Sequence, residues 1–161
     1  TKYYREAFGI HASTAILFNH ESPRRTPEYV TRKITQSVAR ISLGQQDKLV
    51  LGDLSARIDW GYAKEYMEAA WTMLQQDEAD DYVIGTGEAH SVQDFVDAAF
   101  SSVGLDSADY VETSQEFFRP TKTSTLIADT TKAKEAFGFE CKNRFNELVK
   151  LMVEADIERE R

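Results

Sequence analysis

From Ala12 to Phe18 the chain reads Ala-Ser-Thr-Ala-Ile-Leu-Phe without a charge or a break, then passes directly into Asn19-His20-Glu21-Ser22-Pro23-Arg24-Arg25. A run that stays uncharged instead of alternating is what a strand buried on both faces requires, and such strands belong to parallel sheets covered by helices. The feature points to α/β architecture, which the alternation of strands and helices along the chain favours. It also places a cluster of polar groups where a buried strand ends, which is where open α/β sheets bind ligands.

The rest of the sequence repeats the alternation. Short strands are expected at Leu49-Val50-Leu51, at Tyr82-Val83-Ile84 and near Asp109 to Glu112. A helix is expected over Val30 to Leu43, closed by Gly44, and another from Ala63 with Tyr66, Met67, Ala70, Trp71 and Leu74 facing inward. Ser91 and Asp94 form a capping-box start to a third, with Val92, Phe95, Val96, Ala99 and Val103 inward. A short helix spans Thr131 to Phe137 before Gly138, and a last one carries Phe145, Leu148, Val149 and Met152, its charged Glu154 to Arg161 end fraying. Trp60 and Trp71 read as core. Pairing should be mainly parallel, with short connections.

Ahead of the first strand, Tyr3, Tyr4, Ala7 and Phe8 form a helical stripe that Gly9 closes, and the chain starts at Thr1. Both features point to a fragment whose helix begins upstream. No glycine-rich phosphate-binding turn follows any strand, so the front of a dinucleotide-binding lobe is expected to be absent.

With 161 residues and 42% hydrophobic content the chain has the bulk of one globular domain. Its formal net charge of −8 argues against nucleic acid or an anionic membrane as a partner, so an anionic ligand needs a local basic site. The lone Cys141 fits a reducing compartment, and cytoplasmic localisation is expected. No apolar run reaches the roughly 18 residues of a membrane helix. His11, His90 and Cys141 have no metal-site spacing, and no metal is expected.

The polar string after Phe18 admits two readings. Paired guanidiniums can grip phosphate oxygens bidentately, and Asn19 can donate and accept in one plane. Equally, the segment could be a solvated turn with a surface ion pair between Glu21 and an arginine.

Beyond that string, the motifs occur in a family order. Tyr4-Arg5-Glu6 with Gly9, Ile16 to Arg25, Val30-Thr31-Arg32-Lys33-Ile34, Asp59-Trp60-Gly61 with Ala63-Lys64, Leu74-Gln75-Gln76 and Phe118-Arg119-Pro120-Thr121 together resemble the C-terminal part of GDP-mannose 4,6-dehydratases, which are extended short-chain dehydrogenase/reductases. The resemblance covers nearly the whole chain. It implies an incomplete nucleotide-sugar dehydratase domain over residues 1–161: the last strands and helices of an NAD(P)-binding Rossmann-type fold with its substrate-binding subdomain.

The same resemblance implies NADP as cofactor, contacted by His20 and Arg25, and GDP-mannose as substrate, its GDP part held by Asn19, Lys33 and Arg119. The family's catalytic tyrosine-lysine pair, threonine or serine, and glutamate lie upstream of the position matching Thr1, so no catalytic residue is expected in this chain and the chain alone should be inactive. The complete enzyme is implied to be a lyase and a homo-oligomer supplying GDP-4-dehydro-6-deoxy-mannose toward GDP-fucose. Ile58 stands where relatives have an arginine near the pyrophosphate, Lys122 where they have a glutamate, and Thr26-Pro27 replaces a glycine-containing turn. Arg57, one residue earlier, is the arginine that could substitute, although in an extended segment a shift of one reverses the side chain's face. Two other readings stay open: a different nucleotide-sugar dehydratase or epimerase, and a non-catalytic or split sugar-nucleotide-binding module.

Overall fold

The structure is a computed structural model, and it describes residues 1–117 and 125–161. The chain begins with helix α1 (Lys2–Phe8) and continues through β1 (Thr14–Leu17), β2 (Asn19–Glu21), α2 (Val30–Ser42), β3 (Leu49–Leu51), β4 (Arg57–Ile58) and β5 (Trp60–Tyr62). Then come α3 (Ala63–Met73), β6 (Asp81–Ile84), β7 (His90–Ser91), α4 (Val92–Ser101), β8 (Val111–Thr113), α5 (Thr131–Phe137) and α6 (Phe145–Glu160). Among the described residues the strands form four two-stranded ladders. β1–β6, β2–β5 and β3–β8 are parallel, and β4–β7 is antiparallel. Mainly parallel pairing between strands separated by helices is the α/β organisation the sequence pattern predicts.

Two apolar clusters hold these elements. The larger joins α2, α4 and α6 to β3 and Trp60, with Ile34, Phe95, Phe100, Leu148 and Met152 almost free of solvent contact. Each such side chain contributes about 1.5–3 kcal/mol by burial. Helix α4 starts where predicted, because the Ser91 hydroxyl accepts from the Asp94 amide at 2.9 Å while the Asp94 carboxylate accepts from the Ser91 amide at 2.8 Å. Gly44 and Gly138 adopt φ of 70° and 72° after α2 and α5, the left-handed turns that close those helices. The smaller cluster sets Tyr66, Ala69 and Met73 of α3 against Tyr82 and Ile84 of β6, with Ala133 and Phe139.

Three expectations are corrected. The strand at Ala12–Phe18 is shorter, and its Ile16 is 50% exposed, so it is not covered on both faces. Helix α3 turns Tyr66, Ala69 and Met73 inward, whereas Met67, Trp71 and Leu74 lie on its outer face, with Trp71 66% exposed. The helix carries two apolar stripes, and only one meets β6. Finally, α6 does not fray after Glu154. Asp156, 1% exposed, accepts from Arg32 and from the Thr35 hydroxyl at 2.7 Å, and Glu160 accepts from Gln36 and Arg40 at 2.8 and 3.0 Å. Buried and half-buried polar pairs tie the charged turn to α2.

Candidate functional site

Strands β1 and β2 run into a cleft of about 380 Å³. It is lined by Ile16, Leu17, Phe18, Asn19, His20 and Arg25 from one side of the chain and by Arg57, Ile58, Asp59 and Leu126 from elsewhere. The Phe18 amide donates to the Ile84 carbonyl at 2.9 Å, which carries the chain from the β1–β6 ladder into β2. There Asn19, His20 and Glu21 stand opposite Trp60, Gly61 and Tyr62. The polar string therefore begins as a paired strand and not as a loop. Only then does Ser22-Pro23-Arg24-Arg25 turn, with the Arg25 amide donating to the Ser22 carbonyl at 2.9 Å and the Arg24 amide to the Ser22 hydroxyl at 3.1 Å.

Arg25 is fixed at both ends. Its carbonyl accepts from the Arg32 guanidinium at 2.7 Å, and Arg32 is in turn held by Asp156 at 2.6 Å. Its own guanidinium sits 3.3 Å above the Tyr29 ring centre, with Nε 3.4 Å from the Glu21 carboxylate. Glu21 is only 4% exposed, so the ion pair between Glu21 and an arginine exists but is buried at the carboxylate end. Burial pushes the Glu21 carboxyl above its ordinary range, and Arg25 only partly offsets this.

Asp59 is the structural hub of the cleft. Fully enclosed at 1% exposure, its carboxylate accepts from the Thr86 amide and hydroxyl at 2.9 and 2.6 Å, from the Gly87 amide at 3.0 Å and from the Ala128 amide at 3.1 Å. It thereby pins the turn after β6 and the segment before α5 to β5. Gly85 permits this closeness, since a Cβ there would lie 2.2 Å from that of Ala128. Sequence reasoning noticed Asp59 only as part of a motif and missed the Arg32–Asp156 pair. The available signal was a charge inside an apolar stripe: Asp156 follows Leu148, Val149, Met152 and Val153 on the buried face of α6.

The cleft unites Asn19, His20, Arg25 and Arg57. Arg57 and Ile58 both line it, despite their adjacent positions. The Arg57 guanidinium donates to the Ala89 carbonyl at 2.5 Å and lies 3.9 Å from Asp94, so it already has protein partners. Lys33 is not among the lining residues. Its ammonium donates to the Val50 carbonyl at 2.7 Å and lies 4.5 Å from the Phe117 ring centre. Arg119, with Lys122 and the rest of the Phe118-Arg119-Pro120-Thr121 motif, lies outside the described residues. Among the described residues no group of His, Cys, Asp and Glu is placed to hold a metal ion, and no helix is long and apolar enough to cross a membrane.

A family model for GDP-mannose 4,6 dehydratase matches residues 1–152. The chain belongs to that family. It is 51% identical over 158 residues to GDP-mannose 4,6 dehydratase 1 of Arabidopsis thaliana, a match covering 98% of this chain and 44% of the relative. It is 44% identical over 172 residues to the Homo sapiens enzyme, covering 96% and 46%. The chain thus spans less than half the length of these curated relatives. Among solved structures it resembles RMD from Pseudomonas aeruginosa complexed with NADPH, at a TM-score of 0.87 and 16% identity over 98% of this chain and 52% of that one. It also resembles UDP-glucose 4-epimerase from Thermotoga maritima with UDP-glucose, at 0.80 and 23% over 99% and 50%. At such identities the likeness shows the fold alone, the Rossmann-type α/β fold of extended short-chain dehydrogenase/reductases.

The cleft has the size and mixed lining of a small-molecule site. Its volume is near the lower end of the roughly 300–1,000 Å³ usual for small-molecule sites. Its wall combines apolar Ile16, Leu17, Phe18, Ile58 and Leu126 with the His20 imidazole, the Asn19 amide and the guanidiniums of Arg25 and Arg57, donors suited to an anionic or polar ligand.

Proposed function

We propose that this chain is the sugar-nucleotide-binding part of a GDP-mannose 4,6-dehydratase, which when complete converts GDP-mannose to GDP-4-dehydro-6-deoxy-mannose on the way to GDP-fucose. The observation that supports it best is the convergence of Asn19, His20 and Arg25 on one cleft at the ends of β1 and β2, in a chain of that family. His20 and Arg25 form one wall of an NADP site. Asn19, Lys33, Arg57 and Arg119 are assigned to the GDP part of the substrate, where pyrophosphate oxygens need charge-assisted donors, Lys33 giving up the Val50 carbonyl to serve there. Bound NADP supplies the hydride acceptor and donor of an internal redox cycle that begins at the sugar's fourth carbon and ends at its sixth. This chain's contribution is to bind and orient: Asp59 fixes the backbone around the cleft, and the Asp156–Arg32 pair fixes the Arg25 turn.

The acid/base residues of the reaction belong to the upstream half of the complete protein, so the 161-residue chain has no turnover of its own. The complete protein is a cytoplasmic homo-oligomer. The test compares the chain alone with the protein carrying an upstream half. GDP-mannose consumption with NADP should occur only in the latter, GDP-mannose should be preferred over UDP- and dTDP-sugars, and Arg25→Ala should weaken NADP binding by about 1.5–3 kcal/mol, the worth of a charge-assisted contact. Turnover by the chain alone overturns the division of labour. Preference for a UDP- or dTDP-sugar overturns the substrate.

A further inference from the structure

The one imidazole on the cleft is shaped by two residues outside the proposed ligand contacts. His20 and Gly61 stand opposite each other in the parallel β2–β5 ladder, so both present their side-chain positions on one face. A Cβ on Gly61 would lie 2.3 Å from the Tyr66 hydroxyl oxygen and 2.4 Å from its ring. Tyr66 therefore occupies the notch that glycine leaves beside His20. It is wholly buried, with its ring centre 5.4 Å from that of His20 at a tilt of 42°. The hydroxyl has no hydrogen-bond partner among the described residues, so the side chain acts here through the bulk and place of its ring.

On the other ring, His20 Nδ1 is 2.9 Å from the Phe18 carbonyl oxygen. A carbonyl only accepts, so Nδ1 carries the proton, and in the neutral imidazole Nε2 is left as a lone pair. We propose that Tyr66 is the positioning residue for His20, and that His20 presents Nε2 to the ligand as a hydrogen-bond acceptor. Its partner is then a neutral N–H or O–H donor, such as a carboxamide or a ribose hydroxyl. An ionised phosphate oxygen, which only accepts, is left to Arg25 on the same cleft. The ligand half of this proposal rests on reading His20 as a cofactor contact; the tautomer does not.

Nitrogen-15 labelling of histidine reports the tautomer through two-bond couplings within the imidazole, at about pH 8.5, above the ordinary imidazole range. The His20 signals, identified by their loss in His20→Gln, should show the Nδ1–H pattern. Tyr66→Phe should keep that pattern because the ring still fills the notch. Tyr66→Leu, which empties the notch, and Gly61→Ala, which evicts the ring, should give a mixed pattern. An Nε2–H pattern in the unsubstituted chain, or an unchanged pattern in a folded Tyr66→Leu protein, overturns the proposal. If neither disruptive variant folds, the unsubstituted chain and Tyr66→Phe decide it, since loss of the Nδ1–H pattern in either is fatal. In the second arm, run on the protein carrying an upstream half, NADP should move the Nε2 resonance while inorganic phosphate does not. Tyr66→Leu should weaken NADP about tenfold, the worth of one neutral hydrogen bond. An equal response to phosphate overturns the acceptor role. An Nδ1–H pattern with no response to NADP sinks the cofactor reading of His20 and the ligand half with it, which keeps the two failures apart.

Discussion

The two apolar clusters differ in how completely the chain closes them. Around α2, α4 and α6 the large side chains are enclosed, and charges that fall on the buried faces meet partners within the same layer, as Asp156 meets Arg32, Thr35 and Arg159. Around β1, β6, α1 and α3 the enclosed cluster is smaller, and Tyr3, Tyr4, Phe8, Ile16, Met67 and Trp71 all remain at least half exposed. The first region is built to stand alone. The second has the character of a sheet and helix layer awaiting more fold, which agrees with a chain that spans less than half of its relatives. The candidate cleft lies on this boundary, since Asp59 precedes Trp60 of the larger cluster and grips the turn that follows β6 of the smaller.

The contrast is broken most forcefully at Asp156. Replacing it with alanine leaves the Arg32 guanidinium buried without its counter-charge, and breaking a buried pair this way costs about 3–5 kcal/mol. Because Arg32 also holds the Arg25 carbonyl, the variant should loosen the cleft as well as the helix layer. Chemical denaturation with NADP titration measures both. A loss below 1 kcal/mol, on the scale of an exposed ion pair, would show that the clasp is not what closes α6 onto α2.

How much of this was legible in advance followed the kind of information involved. Local chemistry was readable: the Ser91–Asp94 capping box, the glycine closures after α2 and α5, and the buried faces of α4 and α6 all depend on residues within a few positions. Which of two apolar stripes on α3 would be buried depends on what packs against the helix, and period alone cannot decide it, so Trp71 was misplaced. Motif order carried the family. It did not show that Lys33 would spend its ammonium on the Val50 carbonyl, or that Asp59 would serve the backbone, because both contacts join segments distant in sequence.

A smaller loss is expected at Asp59, on the boundary between the regions. Asparagine retains one acceptor oxygen but cannot satisfy all of the Thr86, Gly87 and Ala128 amides, and each group left unpaired costs about 1–3 kcal/mol. Amide hydrogen exchange should quicken first at those three residues and leave α2 and α6 protected. Uniform acceleration would mean that the two regions unfold as one.

A carboxylate of the open region and one beside the cleft should also pull stability in opposite directions as pH changes. In the open region Asp81 is held down to about 2, chiefly by its hydrogen bond from Arg5 and then by Thr14. Its folded value is below its ordinary 3.8, so its stabilisation is present above that value and is lost as pH falls through about 2. Glu21 is the reverse case. Burial raises its folded value above the ordinary 4.5, so its contribution is full at low pH and is lost as pH rises through the raised value. Arg5→Gln should flatten the acid limb of the stability profile. Glu21→Gln should remove the decline on the neutral side and be no less stable than the unsubstituted chain at neutral pH, while loosening Arg25.

The smallest change in stability is expected at Trp71, and it sharpens the comparison most directly. In a closed core, replacing tryptophan by a small residue removes several kcal/mol, about 3–5 for truncation to alanine. On the outer face of α3, 66% exposed, the same side chain has little burial to lose, so Trp71→Ser should shift the unfolding free energy by no more than about 0.5 kcal/mol. Its effect should appear in solution behaviour instead. A chain that leaves Met67, Trp71 and Leu74 uncovered beside an open β1 should self-associate as concentration rises, and the substitution should weaken that association. Sedimentation at several concentrations, set beside denaturation of the same samples, separates the two quantities. A large loss of stability would place Trp71 in a core after all. A monodisperse monomer before and after substitution would show that the exposed face needs no cover, and that the second region is as self-sufficient as the first.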